Sequence, residues 1–133
     1  MTVDAAPDAP DAPDASQAPR PLIGAAPHRR GTLRIYLGAA PGVGKTFAML
    51  NEGRRRRKRG TDVVVGFVET HGRARTAEQL AEHEIVPRRS VEYRGTTLEE
   101  MDTDAVLARH PAVALVDELA HTNAPGSRHA KRW

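Results

Sequence analysis

The segment Gly38-Ala39-Ala40-Pro41-Gly42-Val43-Gly44-Lys45-Thr46 concentrates the residue types from which an anion site is built. Gly42 and Gly44 let the backbone curl until successive amide hydrogens converge on one anion. A helix that follows aims the positive end of its dipole at the same point. In such a loop, Lys45 neutralises the β- and γ-phosphates of a nucleotide, and the Thr46 hydroxyl ligates a magnesium ion. The expected contacts are therefore Ala39, Ala40, Pro41, Gly42, Val43, Gly44, Lys45 and Thr46, with ATP and magnesium as the cofactors. The pattern departs from G-x-x-x-x-G-K-[ST] at its first glycine, where a small residue, Ala39, stands. The competing reading of the segment is a glycine-rich turn that merely joins two elements.

A second constellation lies about seventy residues downstream, in Val113-Ala114-Leu115-Val116-Asp117-Glu118. An apolar strand ending in two carboxylates would set Asp117 beside the loop, where it can hold the magnesium hydration shell. Glu118 stands where hydrolytic enzymes of this kind keep a base for the attacking water. Both could equally be solvated acids at a strand end. Glu69-Thr70-His71-Gly72-Arg73 is expected at the carboxyl end of another strand, the edge where open α/β sheets take ligands. Those residues would either sense a terminal phosphate and orient water, or only turn the chain. His71 and His121 leave strands at the same edge, but a metal site built on two histidines lacks further credible ligands.

Positioning these residues needs a strand before the loop and a helix after it. Leu33 to Leu37 alternates apolar and polar residues and reads as a strand; Lys45 to Arg59 reads as a helix with Phe47 and Leu50 on one face. Asp62 to Val68 holds four valines and reads as a strand buried on both faces. Thr76 and Gln79 have capping-box spacing and would open a helix whose Leu80 and Ile85 face inward, stopped by Pro87. Val91 to Arg94 suggests a short strand. Thr97 and Glu100 repeat the capping-box spacing, for a helix reaching Arg109 and broken near Asp102. Ala112 to Val116 is another apolar strand. This alternation predicts an α/β fold: a P-loop NTPase-like parallel sheet with flanking helices.

The chain has 133 residues and a formal net charge of +3. Residues 1–30 hold six of its ten prolines and eight alanines, so a disordered tail is expected there, followed by a nucleotide-binding domain over 31–133. The absence of cysteine excludes disulfides, thiolate zinc sites and cysteine nucleophiles. No apolar run reaches membrane-spanning length and the N-terminus lacks signal-peptide features, so a cytoplasmic location is expected. Arg54 to Arg59 is a conspicuous basic run. A solvated helix end is favoured over an anionic binding patch, because cations offset the negative end of a helix dipole. With five aromatic residues in the chain and none interleaved with the run, no nucleic-acid partner is expected.

Taken together, Gly38 to Thr46, Val68 to Arg73, Tyr93-Arg94-Gly95 with Thr97 to Met101, and Asp117 to His129 followed by Lys131-Arg132 resemble the N-terminal cytoplasmic domain of the KdpD family. These are bacterial sensor histidine kinases that control potassium uptake. The resemblance runs from Thr32 to Trp133, and the stretch from Asp117 to Arg132 is its most specific part. It implies an ATP-binding regulatory domain that shifts the kinase-to-phosphatase balance of a histidine-kinase core, its expected partner. In the family the chain continues through more of this domain, membrane helices and the kinase core, so this domain is expected to be C-terminally truncated at Trp133. The open edge of an incomplete sheet would then favour self-association. Two other readings stand beside this one. One is a free-standing ATPase or small kinase with Glu118 as base, for which Arg73 and Arg75 are the arginines at hand; the other is a fragment without independent function.

Overall fold

The β-branched run that follows Asp62 forms the centre of the molecule. In the computed structural model, which describes residues 31–133, Val63–Phe67 is strand β1 and every one of its residues is buried. The tail expected over 1–30 lies outside the described residues. The chain divides after Leu33, and Arg34–Trp133 forms one compact unit. Its elements run α1 (Lys45–Lys58), β1, α2 (Ala74–Ala81), β2 (Glu84–Ile85), β3 (Arg89–Tyr93), β4 (Thr96–Glu100), α3 (Thr103–Arg109) and β5 (Val113–Val116). The architecture is α/β, with a small parallel sheet ordered β2-β1-β5 and an antiparallel β3-β4 hairpin.

Alternation along β1 supplies both faces of the sheet. Val63 and Val65 join Met49, Leu50 and Leu115 beneath α1, while Val64 joins Met101 and Val106 on the α3 side. Regular alternation would return Phe67 to the α1 side. A register irregularity between Val65 and Phe67 shifts it by one residue, so Phe67 packs with Val64 and Val68 returns to the α1 cluster. Helix α1 lies close on the sheet because Gly53 faces it; a Cβ there would come within 2.5 Å of a Leu115 methyl. Arg109, at the end of α3, ties the strand starts together through Asp62 (2.8 Å) and Glu84 (2.7 Å).

Four expectations are corrected. Leu33 to Leu37 forms no strand: Leu33, Ile35 and Leu37 are 69%, 63% and 89% exposed, and only Tyr36 packs on the core. Among the described residues nothing covers their apolar face, so ordering the segment as a strand would bury little. Second, α2 starts at Ala74 with Arg73 as its N-cap, which leaves Thr76 buried inside the helix rather than capping it. Third, that helix ends at Ala81, and Glu84–Ile85 pairs in parallel with β1 as a strand, leaving Ile85 48% exposed instead of facing inward. Fourth, Thr97 and Glu100 belong to β4. Arg94 and Gly95 both take positive φ (49° and 76°) and close a two-residue hairpin, so β3 pairs with Thr96–Glu100 before a helix can start. Helix α3 begins later, capped by the Asp102 carboxylate, which accepts from the Ala105 amide at 3.0 Å.

Candidate functional site

The glycine-rich loop runs directly into α1. Gly42 and Gly44 have φ of 83° and 90°, which a side chain disfavours, and Gly44 is the N-cap of the helix. Its carbonyl accepts the first helical hydrogen bond, from the Ala48 amide at 2.9 Å. No side chain caps this end, which leaves the first amides of α1 open toward the loop. Lys45 and Thr46 fill the first turn, and the Lys45 ammonium donates to the Ala40 carbonyl at 3.1 Å. The loop is thus cinched by its own lysine.

Strand β5 carries its carboxylates to the same place. The Asp117 amide donates to the Phe67 carbonyl at 2.8 Å, extending the ladder one residue past the strand. Its carboxylate then accepts from the Thr46 hydroxyl at 2.9 Å and from the Glu118 amide at 3.1 Å. Glu118 turns away in a left-handed conformation (φ 48°), half-exposed, with its carboxylate 3.8 Å from the His71 ring. His121 meets Glu100 instead, so the two histidines have different partners. Among the described residues no group of three or more histidines or acids could hold a metal ion. Glu69 is engaged by Arg88 at 2.6 Å.

Behind the acidic pair lies a buried network for which local pattern offered no signal. Arg132, 2% exposed, donates to the carbonyls of Asp117 (3.1 Å) and Glu118 (3.2 Å), reaches Glu100 at 3.4 Å, and lies 3.6 Å from the centre of the Phe67 ring. Glu100 also accepts from the Ala124 amide at 2.9 Å. Burial raises the cost of its charge, but His121, that amide and Arg132 together hold its carboxyl below the ordinary range. The basic run of α1 is largely engaged as well: Arg55 and Arg56 pair with Glu52, and Arg54 with Glu82.

A family model described as "Osmosensitive K+ channel His kinase sensor domain", KdpD, matches residues 29–133. The chain belongs to the KdpD family. Three proteins named "Sensor protein KdpD" illustrate how near the relatives are. The one from Mycobacterium tuberculosis is 66% identical over 105 residues, which is 79% of this chain and 12% of the relative. That from Escherichia coli K12 is 58% identical over 109 residues, 82% of this chain and 12% of the relative. In Clostridium acetobutylicum the identity is 44% over 104 residues, 78% of this chain and 12% of the relative. The chain therefore spans about an eighth of the length of these KdpD relatives. No helix among its described residues is long and apolar enough to cross a membrane.

Proposed function

We propose that this KdpD-family domain is a magnesium–ATP-binding regulatory module with a P-loop NTPase-like fold, acting in the cytoplasm on a sensor histidine kinase in potassium-responsive signalling. The observation that carries the reading is the 2.9 Å bond between Thr46 and Asp117, which joins the glycine-rich loop to the acidic end of β5. A hydroxyl and a carboxylate held together at a helix start suit a hard cation with oxygen ligands. The positive-φ glycines and the uncapped start of α1 suit a phosphate chain. Residues Ala39 to Thr46 would hold the phosphates, with Lys45 leaving the Ala40 carbonyl to meet them, and Thr46 and Asp117 would hold the magnesium. The bound ion would supply charge neutralisation across the phosphates. Within the chain, Asp117 keeps Thr46 oriented and α1 contributes its amides.

Calorimetry with Mg-ATP tests this. Lys45→Ala should bind roughly 10- to 100-fold more weakly than wild type, the loss of one charge-assisted contact of about 1.5–3 kcal/mol. Equal affinity in the two proteins would remove the phosphate-loop assignment. The hydrolytic reading assigns the base to Glu118, whose half-exposed carboxylate lies against His71. Phosphate release above background that disappears in Glu118→Gln would favour it; binding without turnover favours the regulatory module.

A further inference from the structure

The turn after β1 brings one arginine onto the glycine-rich loop. Arg73 is the N-cap of α2, with its backbone held on both sides: its amide donates to the Thr70 carbonyl at 3.0 Å, and its carbonyl accepts from the amides of Thr76 (3.1 Å) and Ala77 (3.0 Å). The side chain is exposed and extends to the loop, where Nη2 lies 3.0 Å from the position that a Cβ on Gly42 would occupy. Any side chain at residue 42 would crowd this guanidinium, in addition to the strain of φ 83°. Arg73 has no hydrogen-bond or carboxylate partner among the described residues. Arg88, Arg89, Arg109, Arg128 and Arg132 are each held by an acid. A guanidinium with its donors unspent, resting on a glycine-rich loop at the uncapped start of a helix, is suited to an anion with several oxygens.

We propose that Arg73 reads the terminal phosphate of the bound nucleotide and so sets a preference for a nucleoside triphosphate over a diphosphate. The inference rests on the nucleotide reading of the loop and adds a residue to it. Lys45 would meet the γ-phosphate as well as the β-phosphate, and Arg73 adds a second donor, from outside the loop, to the charge that only the triphosphate carries. Because Arg73 also caps α2, capture of the terminal phosphate would couple nucleotide state to the position of that helix.

The experiment measures Mg-ATP and Mg-ADP affinities by calorimetry for the full chain and for Arg73→Gln, Arg73→Lys and Arg75→Gln. Arg73→Gln is expected to lose roughly 10-fold or more on ATP, with ADP changed by less than about 2-fold. Arg73→Lys, which keeps the charge without the planar fork, should fall between wild type and Arg73→Gln. Arg75→Gln, an exposed neighbour, should leave the ATP-to-ADP ratio unchanged. Melting curves of all four proteins should coincide, since Arg73 supports no packing contact in the core. An unchanged ratio in Arg73→Gln, or equal losses on both nucleotides, would overturn the role of Arg73 while leaving nucleotide binding in place. A wild-type chain that binds neither nucleotide would overturn the loop assignment, and this proposal with it.

Discussion

The hydroxyl of Thr46 donates to the carboxylate of Asp117 at 2.9 Å, linking the first turn of α1 to the end of β5 across 71 residues of chain. This bond orients two oxygen donors, one in the first turn of α1 and one at the residue that follows β5, and donors so oriented suit a cation held in a defined geometry. Asp117→Asn removes the charge while keeping the size. ATP affinity in Asp117→Asn should be nearly the same with magnesium as with a chelator, whereas wild type should bind roughly 10-fold or more tightly with the metal. Retention of the full magnesium effect in the variant would contradict the assignment.

Arg132 should matter more for stability than its distance from the loop suggests. It satisfies two carbonyls and a buried carboxylate at once, so Arg132→Met leaves Glu100 short of a counter-charge. Losing one partner of a buried pair costs about 3 kcal/mol. Urea unfolding of the two proteins measures this, and a change within about 0.5 kcal/mol would mean that the network is dispensable.

Acid should act through the same network. The folded-state pKa of Glu100 lies below its ordinary value of 4.5, so folding favours the ionised form. The stabilisation is complete above about pH 4.5 and is lost as the pH falls through the lower folded value. Glu100→Gln should therefore flatten part of the decline in melting temperature below that pH. An identical acid limb in the variant would show that other carboxylates govern it.

The outer edge of β5 offers a further test. Among the described residues β5 pairs only with β1, and Leu33 to Leu37 makes no ladder. Such an edge promotes pairing between chains, and a lysine on it blocks that pairing. Sedimentation velocity should show self-association rising with concentration, weakened in Ala114→Lys, whose side chain replaces an exposed one. A monomer at every concentration would contradict this.

Local pattern carried much of the molecule. The helix formers after Lys45, the valine run of β1 and the apolar stretch before Asp117 each report their own state, because burial on one or two faces is written in the periodicity of adjacent residues. Spacing likewise singled out Lys45, Thr46 and Asp117 without any knowledge of their distances. What it could not read was competition between partners. Thr97 and Glu100 have the spacing of a helix cap, yet the Arg94-Gly95 turn delivers them to β3, and strand pairing outweighs a cap worth about 1 kcal/mol. Leu33 to Leu37 alternates like a strand, but alternation cannot supply the neighbour that a ladder requires.

The amino-acid sequence by itself determined the α/β alternation, the glycine-rich loop at a helix start and the acids at a strand end, because each is a property of residues a few positions apart. Only the tertiary structure decided that Thr46 bonds Asp117, that Arg132 rather than a nearer residue braces the acidic pair, and that Arg73 lies on Gly42. Those contacts join segments between 14 and 71 residues apart, and they exist only once packing on both faces of β1 has brought the segments together.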